Sequence, residues 1–316
     1  MTFRTTPKLL AVSATAITLV ALLAGCATSE SDAAESASES DATTTAVETN
    51  EELRALVPQE ILDAGTLTIA TALGNPPNVI TGDDGSMSGI MYDIGEAAAA
   101  VLGLDTEWQD LQFAGIVPGL QSDKFDLSMG SLADSPARQE VLDLVDILHY
   151  DSVFIVRKGN PTDSADLDHA CGKSIGVLAG ATQIVRVDAA TEVCLDNGEK
   201  AINMVEYQTP TDAQAQVGSS QLDAYFGPVF VLEHTAATAG NGNTFEVGDV
   251  LYDNGTPWAI GMKKDRGTLA EAMQGAVQVL VENGTYAEIL AEYGAETGAL
   301  DASQILINGA GTPAAG

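Results

Sequence analysis

Among the residues able to do chemistry, Arg138 is the most informative. Ser135-Pro136 places a hydroxyl at an N-cap and proline at the first helical position, so a helix begins there with Arg138 in its first turn. A cation at a helix N-terminus opposes the macrodipole and needs another reason to be there. Binding an anion is such a reason; a plain exposed surface arginine is the alternative. The three histidines, His149, His169 and His234, are scattered, and none stands at ligand spacing to a cysteine, so no metal is expected. No Gly-x-Ser-x-Gly, Ser-x-x-Lys, His-Glu-x-x-His or P-loop motif occurs, and Gly180-Ala181-Thr182 lacks the further glycines of a dinucleotide loop. Neither catalytic residues nor a cofactor are therefore expected. Trp258 and Tyr225 read either as cleft walls that cover an aliphatic or cationic ligand part, or as core. Trp108, inside a strand run, reads as core.

The compartment follows from the first residues. Arg4 and Lys8 precede an uncharged run from Leu9 to Gly25, a secretory signal over 1–25 too short at its core to be a stable membrane span. Its end, Leu23-Ala24-Gly25-Cys26, resembles the lipobox of bacterial lipoproteins. That implies a diacylglycerol on Cys26 and a chain anchored to the extracellular face of the cell membrane. Residues 26–50 are dominated by Ser, Ala, Thr, Glu and Asp and contain no aromatic residue; such a stretch cannot offset its ordering entropy and reads as an acidic, disordered stalk. With Cys26 lipidated, Cys171 and Cys194 remain as an even pair in an exported chain, which favours a structural disulfide over a metal-binding or catalytic thiol. The formal charge of −32 argues against nucleic acid and anionic lipid surfaces as partners, without fixing the sign of the ligand.

The rest alternates strand and helix patterns. Thr66–Ala70 reads as a buried strand, Met91–Leu102 as a helix, Thr106–Asp110 as a strand, Ala114–Gln121 as a helix and Phe125–Ser131 as a strand. After a strand at Ser152–Val156 the rhythm restarts: strand Ser174–Leu178, helix Thr182–Ala190, strand Ile202–Tyr207, helix Asp212–Val217, strand Asp223–Phe226. Near the end, Leu269, Met273, Ala276, Val277, Leu280 and Val281 fall at helical spacing before a stop at Asn283-Gly284, and Ala287–Tyr293 reads as a short helix. Two αβ units of similar size imply parallel strands in two lobes.

Several segments together resemble the extracellular solute-binding proteins of family 3, the polar amino-acid-binding lipoproteins of ABC importers. They are Gly65–Ala70, Gly85–Ile94, Phe113–Gln121, Phe125–Leu127, Arg138 after Ser135-Pro136, Cys171–Val177, Gly180–Gln183 and Asn283–Leu290. The resemblance implies an α/β, two-lobed periplasmic-binding-protein fold of type II, with the ligand cleft between lobes joined by two hinge strands. Lobe 1 would take 51–151, lobe 2 would take 152–256, and 257–316 would return to lobe 1 and end in a tail, with crossings near Tyr150–Ser152 and Asn254–Trp258. It also implies that Arg138 holds a ligand carboxylate, helped by backbone N–H groups of Ser131, Leu132 and Ala133 and by Ala181 and Thr182 at the next helix start. A guanidinium fork and free helix N–H donors both suit a carboxylate. Phe113, Asn75, Pro228 and Trp258 complete the implied ligand-binding set.

Two positions depart from the family pattern. Gly227-Pro228 stands where an aspartate usually meets the ligand α-ammonium, and Asn75 stands near where an aromatic usually stacks on the ligand. Asp134 and Glu233 are candidate substitutes for the missing acid, while Asp223 reads as structural. The function implied is capture of a small carboxylate solute, an amino acid or derivative, by a monomer that delivers it to an ABC permease and its ATPase. The alternatives are a ligand-sensing lipoprotein serving a membrane receptor and a dehydratase-like enzyme on the same fold.

Overall fold

The computed structural model describes residues 48–309. The signal segment, Cys26 and most of the stalk lie outside the described residues. Strand β1 (Thr66–Thr71) is followed by a small hairpin, β2 (Ile80–Thr81) and β3 (Met87–Ser88), and then by β4 (Asp105–Asp110), β5 (Leu127–Ser128) and β6 (Leu142–Leu148). Next come β7 (Asp151–Arg157), β8 (Ser174–Leu178), β9 (Asn203–Tyr207), β10 (Ala224–Pro228), β11 (Phe245–Val247) and β12 (Tyr252–Asp253), and finally β13 (Trp258–Lys263).

These strands form two separate sheets. One has the order β4-β1-β5-β13-β6; the other has the order β11-β7-β10-β8-β9, with β12 added on β7. In each, the αβ units supply the parallel pairs, β1 with β4 and β5, and β8 with β9 and β10. The antiparallel pairs, β7 with β10 and β6 with β13, join strands far apart in the chain, which the rhythm alone does not reveal. The chain leaves the first sheet after β6, builds the second, and returns through 254–257 into β13. Two extended crossings therefore join two lobes of type II architecture.

The first sheet is covered by amphipathic helices. Ile90–Val101 buries Ile90, Met91, Ile94, Ala98 and Val101, with Gly95 against the Trp108 ring, where a Cβ would come within 2.8 Å of the indole. The returning helix Leu269–Asn283 buries Leu269, Met273, Ala276, Val277 and Leu280 and stops at Gly284, whose φ of +90° suits glycine. Each of these larger side chains contributes about 1.5–3 kcal/mol by leaving water.

Several expectations are corrected. β5 is two residues long rather than spanning Phe125–Ser131, because Gly130 and Ser131 leave the sheet toward the cleft. The run from Ala114 begins as a 3₁₀ turn, Phe113–Gly115, before the helix Ile116–Gln121. Ser135 makes no side-chain cap; Pro136 at the first helical position defines that helix start alone. Strands β6, β11, β12 and β13 and the helix Val229–Thr238 are additional to the pattern read from the sequence.

In the second lobe, Cys171 and Cys194 form a disulfide with a Cα–Cα distance of 5.6 Å. It joins the loop before β8 to the last turn of the helix Gln183–Asp196, and Cys194 sits among Ile175, Val177, Val187 and Ile202. Closing 23 residues of separation stabilises the folded state by about 3 kcal/mol through the unfolded chain's lost entropy. Replacing both cysteines with serine is expected to lower the melting temperature by several degrees, and calorimetry checks it. An unchanged melting temperature would show that the bridge does not restrain the fold.

Candidate functional site

A cavity lies between the two sheets. Lobe 1 brings Asn75 from the loop after β1, together with Phe113, Ser131, Ala133 and Arg138; lobe 2 brings Leu178, Ala181, Thr182, Gln183, Pro210, Tyr225 and Pro228. The crossings themselves bring Tyr150 and Trp258. Nine of the ten ligand-binding residues read from the sequence thus meet at one place. Leu132 does not: its side chain is buried against Gly261 and its carbonyl accepts the Ala259 N–H at 2.8 Å. That bond and the one from Asp134 N–H to the Pro257 carbonyl at 2.9 Å strap the segment after β5 onto the second crossing.

Arg138 joins the lobes. Its Nη1 donates to the Ala133 carbonyl at 2.8 Å and its Nη2 to the Gly180 carbonyl at 3.0 Å, while Phe113 lies 5.7 Å from the guanidinium carbon. Gly180, with φ of +80°, makes the left-handed turn that carries the chain from β8 into the helix beyond Thr182. Burial pulls the guanidinium below its ordinary pKa, opposed by Tyr150 and Asp134, and it remains charged. Each terminal nitrogen carries two hydrogens, so one on each is left for a further acceptor.

The opposite wall is polar and ordered. Ser131 Oγ accepts from Asn78 Nδ2 at 2.7 Å and from Asn75 Nδ2, which leaves its own proton to donate. The Asn75 Oδ1 atom is buried without a protein partner, as is Trp258 Nε1. Tyr150 stacks on Trp258 with ring centroids 4.6 Å apart, and its hydroxyl lies 3.3 Å from Thr182 Oγ1. Trp258 is both wall and core, fully buried yet lining the cavity.

Tyr150, Leu178, Gln183 and Pro210 were not singled out from the sequence. Gln183 Nε2 donates to Ser152 Oγ at 2.7 Å, Ser152 Oγ donates to Asn254 Oδ1 at 3.0 Å, and Asn254 Nδ2 donates to the Tyr150 carbonyl at 3.0 Å. This chain of bonds joins both crossings to the helix start. Its signal was present: Tyr150, Ser152 and Asn254 all fall in the crossings, and Gln183 follows Thr182 directly.

No acidic side chain occurs among the described residues lining this cavity. Neither candidate substitute fills the gap: Glu233 is exposed on the helix Val229–Thr238, and Asp134 is buried outside the lining, accepting from Gln139 Nε2 at 2.8 Å. Asp223 accepts the Ser174 N–H at 2.8 Å and ties β8 to the start of β10. The cavity continues into a second chamber that shares Asn75, Phe113, Ser131, Leu178 and Pro210 with it and is bordered by Gln112, Gln208, Thr209 and one acid, Asp110. Asp110 Oδ1 accepts the Leu73 N–H at 3.0 Å, leaving Oδ2 available.

Residues 67–296 match the model of the bacterial extracellular solute-binding proteins, family 3. The chain belongs to this family. The solute-binding protein is 28% identical over 289 residues to the arginine-binding protein ArgT of Corynebacterium glutamicum, covering 90% of this chain and 91% of that one. It is 26% identical over 224 residues to the L-arginine-binding protein of Pseudomonas aeruginosa, covering 69% and 83%. Among solved structures it is similar to an ancestral arginine-binding protein bound to arginine, with a TM-score of 0.65, 25% identity, and coverage of 72% of this chain and 98% of the other. Among the described residues, no helix is long and apolar enough to cross a membrane.

Behind Ala133, the buried Asp146 faces Asp134. Burial first, and the neighbouring Asp134 carboxyl second, push Asp146 from 3.8 up to about 9, so it holds its proton at neutral pH. The folded state then binds more protons than the unfolded chain between those two values. Its contribution to stability is whole below the unfolded value and is lost as pH rises through the folded one. Asp146→Asn keeps a neutral polar group there, so the wild type's melting temperature should fall relative to the variant's between about pH 5 and pH 9. Parallel melting profiles would remove Asp146 as the proton-holding group.

Proposed function

We propose that this solute-binding protein captures an amino acid by its carboxylate, accommodates a cationic side chain, and passes the solute unchanged to an ABC permease and its ATPase. The protein works as a monomer, held at the extracellular face of the membrane by lipid on Cys26. The observation that carries this reading is Arg138, a guanidinium bonded to a carbonyl of each lobe with donors left over in the cavity between them. An anion placed there completes the fork, and the Ser131 hydroxyl and the helix start at Thr182 add donors. The second chamber supports the side-chain assignment, because Asp110 gives a ligand cation an acid to face. That agrees with the arginine named for the relatives.

Binding without turnover is supported by the lining. Catalysis on such a solute needs a positioned acid or base, and the titratable groups of the cavity are Arg138, Tyr150 and Tyr225. Burial pushes both phenols above their ordinary value, away from any role in proton transfer near neutral pH. The α-ammonium faces no carboxylate; the unpartnered Asn75 Oδ1 is the acceptor available to it.

Thermal-shift and calorimetric titration with arginine, citrulline, agmatine and arginine's des-amino analogue test the reading. Arginine should bind best, citrulline less well for want of a cation, and agmatine not at all for want of a carboxylate, while the des-amino analogue should retain part of the affinity. Arg138→Ala should weaken binding by on the order of 2–5 kcal/mol, since it removes a buried charge-assisted contact. Unchanged affinity would remove Arg138 as the anchor, and agmatine binding as tightly as arginine would overturn the carboxylate reading.

A further inference from the structure

Among the described residues, three side chains able to ligate a metal stand together where the chain passes between the lobes. His149 and Asp151 belong to the first crossing and Asp253 borders the second, and one ligand atom from each lies within 4.8 Å of the others. We propose that this cluster is a binding site for a divalent transition ion of the Zn²⁺ class, held by the His149 imidazole and the Asp151 and Asp253 carboxylates, with water completing the coordination.

Three observations carry it. The first is the cost of the arrangement without a cation. Asp151 and Asp253 are direct partners in the antiparallel pairing of β7 with β12, and like charges facing each other across strands are destabilising. Among the described residues no lysine or arginine forms an ion pair with either carboxylate. The Arg186 guanidinium donates instead to the Asp253 backbone carbonyl. A divalent cation between the two acids turns repulsion into attraction.

The second observation is geometric. His149 Nε2 lies 3.5 Å from Asp151 Oδ1, close to the edge of about 3.4 Å that bonds of about 2.0–2.1 Å impose between tetrahedral ligands. Asp253 Oδ1 accepts the Gly255 N–H at 2.7 Å, a bond that orients the carboxylate and leaves its other oxygen to ligate. The third is access. Tyr150 is buried between His149 and Asp151, whose side chains are 42% and 27% exposed, so an ion reaches them from solvent without passing through the solute cavity. One imidazole nitrogen with two carboxylates suits Zn²⁺ and its neighbours, whereas Ca²⁺ and Mg²⁺ favour all-oxygen sets. No histidine stands at ligand spacing to a cysteine, and this cluster has no local spacing signal either. Its third ligand lies about a hundred residues downstream and arrives only when the crossings come together.

The experiment is calorimetric titration of the full chain with Zn²⁺, with Co²⁺ absorption as a spectroscopic readout and Ca²⁺ as competitor. One saturable Zn²⁺ site is expected, with a visible Co²⁺ band of low-coordinate type and a melting temperature that rises with Zn²⁺ concentration. His149→Gln at a partly exposed position and Asp253→Asn at an exposed one should keep the circular dichroism of the parent and weaken Zn²⁺ by about tenfold or more. His169→Gln should change nothing. Absence of saturable binding, undiminished affinity in His149→Gln, or displacement of Zn²⁺ by equimolar Ca²⁺ would each overturn the proposal.

Discussion

A guanidinium taken out of water has to find acceptors, and Arg138 finds one in each lobe, at Ala133 and at Gly180. Much of the surrounding structure is arranged around that requirement. Pro136 starts the short helix that presents the side chain, the left-handed turn at Gly180 aims a carbonyl at it, and the bonds from Asp134 and Ala259 fix the segment carrying Ala133 to the second crossing. Removing the arginine would leave two carbonyls facing a cavity rather than a cation. The group proposed to recognise an anion therefore also helps to bring the two halves of the cleft together. On the proposed reading, affinity and closure share one interaction.

The crossings supply the second constraint. Tyr150 stacks on Trp258, one ring from each crossing, and the Gln183–Ser152–Asn254 chain of hydrogen bonds extends this pairing to the helix start beyond β8. Motion of either crossing is thus registered at Thr182 and at the aromatic wall together. A two-lobed binder needs this coupling, because closure is driven only by contacts that the solute makes better in the closed arrangement than in the open one.

What was legible in the sequence follows from which signals are local. The buried strands β1 and β8, the helix Leu269–Asn283 and the proline start before Arg138 all announce themselves within a few residues, and the two αβ units follow from their alternation. β13 did not, since Trp258–Lys263 pairs with β5 and β6 across more than a hundred residues of chain and carries no turn signal of its own. For the site, resemblance located the segments and the structure separated their positions. Leu132 and Ala133 are neighbours in the chain, yet extended backbone turns one side chain to the core and leaves the other at the cavity. Gln183, Tyr150 and Asp146 act through partners thirty residues or more away or not adjacent in sequence, and no spacing rule reaches them.

Electrostatics then explains how a strongly acidic chain keeps a positive site. With a formal charge of −32, the protein as a whole repels the carboxylate it is proposed to bind, and salt screens most of that field beyond about 8 Å. What matters is the neighbourhood of Arg138. The described lining holds no acid, and of the two carboxyls buried behind Ala133, Asp146 keeps its proton because its place is desolvated and Asp134 lies against it. If both ionised, their summed charge would oppose the guanidinium at short range and low dielectric, where such interactions are strongest. A proton held on Asp146 therefore protects the positive character of the cavity from the protein's own acids. The other carboxylates near the cleft stand apart from that charge: Asp110 borders the second chamber, and Asp151 and Asp253 lie outside the lining. Position, rather than net charge, decides which sign the solute meets.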